Sequence, residues 1–231
     1  MPYILNPFFP VGNLVLPFNS SIVWAAFESN SFDSLTDGAN VTTSWPDISG
    51  NGRDMTLHNT TYFTYHKNQI HGESAIQFSD NGNWFILPSM AALTEGHFFA
   101  VWNYFDPTSN GGWILGVSAN SSHYYAFGTN VYEDFGSNAR ANFDPGTSTP
   151  FKKWHTYHGW SATNDYSLNQ DNTNRYVSSS NIVGFPSTPR FGANGFNGNN
   201  MMCAAFYLMS RKLTSTEVTT MRNYILAKYG V

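Results

Sequence analysis

The sequence predicts an all-β protein: a two-sheet antiparallel jelly-roll sandwich over residues 20–231, with an extended N-terminal arm over residues 1–19 and a short C-terminal helix. Three observations lead there. Short apolar stretches alternate with clusters of Gly, Asn and Asp, a cadence that suits many brief strands joined by tight turns. The stretch Trp45-Pro46-Asp47-Ile48-Ser49-Gly50-Asn51-Gly52-Arg53-Asp54 reads as a stiff corner between strands. Its two glycines tolerate positive φ, and Asp47 and Ser49 can accept from backbone N–H groups two or three residues on. Near the C-terminus, Thr214 and Glu217 form a capping box ahead of a helical stripe.

Residues 1–19 carry no charge, and Pro2, Pro7, Pro10 and Pro17 rule out a helix. Apolar residues such as Ile4, Leu5, Phe8, Phe9, Leu14 and Leu16 therefore cannot bury one another locally. The arm is expected to cover an edge or face of its own sandwich or to dock on a neighbouring subunit. Residues 21–28 are apolar on both strand faces, as a strand covered on both sides requires. The loop 30–43 follows, where Asp33, Asp37 and Asn40 are oxygen donors of the type calcium takes, at a spacing equally ordinary in turns.

After the corner, strands are expected around 55–58, 62–66, 75–78 and 84–87. Residues 97–105 form a longer, central strand, with Phe98, Ala100, Trp102 and Tyr104 on one face and Phe99, Val101 and Phe105 on the other. Further strands are expected over 112–118, 122–127, 131–135 and 154–160. In the closing helix Val218, Met221, Ile225 and Tyr229 make one stripe, Lys228 lies in the last turn, and Gly230 can end it.

Aromatic residues make up 17% and charged residues 11% of the chain, a balance that argues against disorder. The net charge of −4, with dispersed Lys and Arg, offers no basic patch, so no nucleic-acid partner is expected. One cysteine allows no intrachain disulfide, and Cys203 in its apolar run reads as a small buried hydrophobe. No stretch looks long and helical enough to enter a membrane, and no basic, apolar leader opens the chain. Synthesis in the cytoplasm is therefore expected, although the polar, uncharged loops suit an outside surface. The sequons at Asn19, Asn40, Asn59 and Asn120 read as turn composition in that setting. A virus particle assembled inside its host meets both conditions.

The corner Trp45-x-Asp47-x-Ser49-Gly50-Asn51-Gly52 has a counterpart near the other end. There Phe196-Asn197-Gly198 leads into an apolar run and then Arg211-Lys212-Leu213-Thr214-x-x-Glu217. In that order the two resemble the laminin-G-like branch of the concanavalin A-like lectin/glucanase superfamily, over roughly residues 20–231. The resemblance implies the sandwich. It makes Trp45, Asp47, Ser49, Gly50, Asn51, Gly52, Arg211, Leu213 and Glu217 a structural signature, with no catalytic role for any of them. Calcium occurs in some relatives; no other cofactor is implied.

Glycosidases of this superfamily carry a Glu-x-Asp-x-x-Glu strand, which sets nucleophile and acid on one face. None of Glu28, Glu73, Glu95, Glu133 and Glu217 has that spacing, and Glu133 and Asp134 would face opposite ways in a strand. His155 and His158 also differ in parity, so they cannot share a metal; one half-buried and one exposed histidine is expected. No Ser-His-Asp order, phosphate loop or dinucleotide fingerprint appears. The loops expected over 120–125 and 164–176 offer aromatic and amide side chains of the kind that hold sugars, residues equally ordinary in any aromatic-rich sandwich.

Together these features point to a non-enzymatic virion protein of a tailed bacteriophage, a head decoration, fibre or tail-surface subunit. Its arm would engage other virion subunits or sister copies, and its lectin-like sandwich would face surface glycans. The alternatives are a free-standing carbohydrate-binding lectin, which would be extracellular, and, third, a glycoside hydrolase.

Overall fold

A computed structural model describes residues 15–58, 63–78, 84–104, 112–118, 125–127, 130–144, 153–192 and 201–231. The elements are β1 (Val23–Glu28), a 3-10 turn (Ser29–Phe32), β2 (Thr56–Leu57), β3 (Phe63–Ile70), β4 (Glu73–Phe78) and β5 (Phe85–Ile86). They continue with β6 (Gly96–Tyr104), β7 (Trp113–Ile114), β8 (Tyr125–Phe127), β9 (Asn130–Glu133), β10 (Ala141–Phe143) and β11 (Trp154–Ala162). β12 (Asp165–Gln170), β13 (Thr173–Ser178), β14 (Arg190–Phe191), β15 (Met201–Met209) and α1 (Ser215–Tyr229) complete the series.

One layer is an eight-stranded antiparallel sheet in the order β13-β12-β11-β6-β15-β4-β3. β15 pairs with β4 at its start, bulges between Cys203 and Ala205, and pairs with β1 over its second half. The other layer is built from β2-β5-β14-β7 and β10-β9-β8. Between the layers lies an aromatic core that includes Trp45, Phe85, Phe98, Trp102, Trp113, Tyr157, Phe191 and Phe206. Their rings meet tilted, edge-on or stacked, as between Trp113 and Phe191 with centroids 5.4 Å apart. This is the two-sheet antiparallel sandwich with its closing helix.

The large sheet is apolar on its outer side as well, which is why β1, β6 and β15 lack clean alternation. Ala26, Phe99, Val101, Tyr207 and Met209 pack there against Leu213, Met221, Ile225 and Tyr229 of the C-terminal segment. Leu16, Phe18 and Ile22 pack against the same cluster, so the described part of the N-terminal arm covers its own sandwich. Residues 1–14 lie outside the described residues.

The corner does more than turn. The indole N–H of Trp45 donates to the Glu28 carbonyl at 2.9 Å, and Trp45 bridges Met55 in both directions. Asp47 Oδ1 accepts from the amides of Ser49 and Ala26, both at 2.9 Å, and Oδ2 accepts from Ser49 Oγ and the Arg53 amide. Asn51 Nδ2 donates to the carbonyls of Val23 and Ser20, while Gly50 and Gly52 take φ of +86° and +66°. The corner thus satisfies itself and also clips onto β1.

The stretch 164–176, expected as a loop, is instead mostly strand. β12 and β13 form a hairpin whose turn residues Asp171 and Asn172 both have positive φ, as a two-residue turn of this hand requires. Tyr166 and Leu168 alternate into the core from among Asp, Ser and Asn residues that mask the strand pattern. The stretch 120–125 lies almost wholly outside the described residues.

In α1, Thr214 accepts from the Glu217 amide and Glu217 reaches back to the Thr214 amide, and Gly230 ends the helix at φ +72°. Arg211 grips Glu217 through both guanidinium nitrogens, which holds its carboxyl down at about 2. Leu213 is buried beneath them. Lys228, in the last turn as expected, is buried and pairs with Glu28, which also accepts from Tyr207 and Tyr224 hydroxyls.

Candidate functional site

The acidic residues are occupied in ways that bear on chemistry. Glu133 closes β9 and Asp134 follows it, and both side chains are sealed from solvent. Glu133 accepts from the Trp113 indole and the amides of Asp134 and Phe135. Burial, then the charge of Asp134, pushes the Glu133 carboxyl up to about 8. Burial likewise raises Asp134 to about 7, against an amide bond from Ser118. Neither carboxylate faces a surface where a glycosidic bond could lie.

Asp33 Oδ1 accepts from Tyr65 and Ser74 hydroxyls, Asp37 Oδ1 accepts from the Lys67 amide, and Asn40 bridges Thr64 on the strand edge. Two of the three calcium candidates thus each have one carboxylate oxygen engaged by protein donors. Among the described residues no group of three or more His, Cys, Asp or Glu side chains could hold a metal ion.

His155 and His158 do face opposite sides of β11, but both are buried, so the expected exposed histidine is absent. β11 lies inside the sheet with cover on both faces, so alternation along it carries no exposure. His155 Nδ1 meets Asp171 Oδ2 at 2.6 Å. His97 Nδ1 accepts from the Leu213 amide, so its Nε2 carries the proton and donates to His158 Nδ1 at 3.2 Å. Burial, reinforced by the nearby charge of Arg222, lowers His158 to about 3, and burial also lowers His97.

Beside α1 the surface opens into a cleft of about 170 Å³. One wall is the solvent flank of α1, where Thr219, Arg222, Asn223 and Leu226 recur at spacings of three and four. The other is Thr156 of β11 with Asn172 of the β12–β13 turn, and Val231 closes one end. The amides of Asn172 and Asn223 make no side-chain hydrogen bond within the described residues, and Arg222 has no ion-pair partner there. Asp171, the acidic neighbour, is turned onto His155 and the Thr156 amide. The cleft thus offers amide donors and acceptors, a guanidinium and an apolar ledge at Leu226, an arrangement suited to a small polar ligand with one apolar face.

Of these residues only Asn172 falls within a stretch, 164–176, that the sequence marks for sugar contact. Arg222, Thr219, Asn223 and Leu226 lie on the exposed side of an amphipathic helix, where polar residues need no special reason. Their meeting with Asn172 depends on the sheet order, which no local pattern reports.

No protein-family model matches the chain, and no curated protein matches it. Solved structures do. Domain 4 of AbnA, a GH43 extracellular arabinanase from Geobacillus stearothermophilus, in complex with arabinotriose, is 12% identical with a TM-score of 0.62, over 87% of this chain and 98% of that one. Trypanosoma rangeli sialidase is 12% identical with a TM-score of 0.60, over 97% of this chain and 36% of that one. The binding domain of botulinum neurotoxin DC, in complex with rat synaptotagmin II, is 14% identical with a TM-score of 0.58, over 89% and 52%. The chain therefore spans about a third of the sialidase and half of the toxin domain. At these identities the likeness is one of fold, an antiparallel β-sandwich.

Proposed function

We propose that this protein is a carbohydrate-binding β-sandwich that holds a glycan in the cleft beside α1 and performs no chemistry on it. The observation that carries the reading is the convergence of Asn172, Asn223 and Arg222, whose side chains have no hydrogen-bond or ion-pair partner among the described residues, on one small cleft with a hydrocarbon ledge at Leu226. Sugars need planar amide or guanidinium groups for their hydroxyls and an apolar surface for their C–H faces. The fold adds weight, since a structure of the same size and architecture holds arabinotriose. The sealing of Glu133 and Asp134 supports binding without turnover. A cleft of about 170 Å³ is smaller than the ~300 Å³ at which drug-sized sites begin. It suits one terminal sugar residue.

The setting we propose is a virion surface, with the charge-free segment 1–19 as the link to other virion subunits or sister copies. Leu16 and Phe18 lying on the protein's own sandwich favours a partly intramolecular role for that segment. Light scattering on the full chain and on a chain lacking residues 1–19 separates the two roles. An oligomer that becomes monomeric on truncation supports assembly, and two monomers contradict it. For the binding reading itself, the purified full chain is applied to a printed glycan array. Retention by one glycan class is expected, and no retention by any would contradict it.

A further inference from the structure

Resting on the reading of the cleft as a glycan site, we infer that its ligand carries a carboxylate on the sugar residue that enters it. The guanidinium of Arg222 lines the cleft without a carboxylate partner among the described residues, whereas Arg211 is fully paired with Glu217. A planar cation left open in a concave site is matched best by a planar anion, because two parallel N–H···O bonds form at once.

The surroundings keep that charge available. His158, which feels the charge of Arg222, is neutral and hydrogen-bonded to His97, so this pair sets no charge of its own against the guanidinium. Asp171 is engaged with the His155 ring and the Thr156 amide. Thr219 gives its hydroxyl proton to the Ser215 carbonyl, leaving its oxygen as an acceptor for a sugar hydroxyl. Asn172 and Asn223 flank the guanidinium with both donors and acceptors, and Leu226, 56% exposed, provides the apolar ledge. Charge, hydrogen bonds and apolar contact then fit a pyranose with one carboxylate, of the hexuronic type, better than a neutral sugar.

The test uses the full chain and titrates it with a glucuronate-ended oligosaccharide, the methyl ester of the same oligosaccharide, and a sulfated counterpart. The acid is expected to bind at least about tenfold more tightly than the ester, as one charge-assisted pair allows, and its affinity is expected to fall with added salt. Arg222→Gln should erase the difference between acid and ester while leaving the melting temperature in place, and Arg222→Lys should restore part of it. A preference for the sulfated sugar over the carboxylate would overturn the carboxylate inference. Equal affinities for acid and ester, unchanged in Arg222→Gln, would overturn it too while leaving glycan binding intact. Binding of none of the three, together with an empty glycan array, would remove the glycan reading as well.

Discussion

Asp47 takes four donors on one carboxylate, three from its own corner (Ser49 twice and Arg53 once) and one from β1. That is why a residue read as a turn acceptor matters beyond its turn. Asp47→Ala would leave the amides of Ala26, Ser49 and Arg53 unserved at a partly buried junction. A loss of about 3 kcal/mol is expected, read from urea midpoints at constant slope. The corner that Trp45 opens was legible from its turn residues, and Trp45 itself is 0% exposed. Its hydrogen bond to the Glu28 carbonyl was not legible, because that bond joins segments seventeen residues apart. The same limit applies to Glu28 itself. Nothing local distinguishes a glutamate that ends an apolar strand from one that answers a lysine two hundred positions later.

Among the elements, α1 shows what local pattern can and cannot reveal. Its cap, stripe and terminating glycine follow from spacing alone, and the structure places them as spacing predicts. Its attachment does not follow, since Lys228 falls at a last-turn position where a solvated cation would also be at home. Two substitutions separate the contributions. Lys228→Met leaves the Glu28 carboxylate buried without its cation and is expected to cost about 3–5 kcal/mol in chemical denaturation. Arg211→Ala breaks a partly exposed pair and is expected to cost no more than about 1 kcal/mol. If the two losses proved equal, the helix would be held by its cap and not by the buried network. The β12–β13 hairpin marks the opposite case, in which a strand pair was hidden because Asp165, Ser167 and Asn169 alternate with Tyr166 and Leu168 and its turn lacks glycine.

At the scale of the whole molecule, the sandwich was legible from the cadence of short strands and from the corner at one end and the capped helix at the other. The order of its strands was not, because pairings such as β11 with β6 join segments about sixty residues apart. Buried ionisable groups then set how stability varies with pH. His97 and His158 stay neutral in the fold but bind protons below their ordinary 6.5 when unfolded. Their contribution is therefore lost as pH falls from 6.5. Glu133 and Asp134, raised to about 8 and 7, hold protons in the fold that the unfolded chain has released. Their contribution is complete below the ordinary carboxylate range and is lost as pH rises through 7 and 8. The two trends oppose each other between about pH 4.5 and 6.5, and above that only the carboxyls act. Melting temperatures are expected to be nearly level in mild acid and to fall between pH 6.5 and 8. Asp134→Asn, which keeps the acceptor for the Ser118 amide, should make that fall shallower.

The cleft also exists only at this scale, since it needs β11, the β12–β13 turn and α1 together. Its role is tested most directly by following backbone amide NMR signals of the full chain during titration with a glycan that the array retains. Shifts that begin at Asn172, Thr219, Arg222 and Asn223 and saturate with a single dissociation constant are the expected result. A saturating titration whose shifts fall elsewhere, with these four amides unmoved, would contradict the assignment of the site.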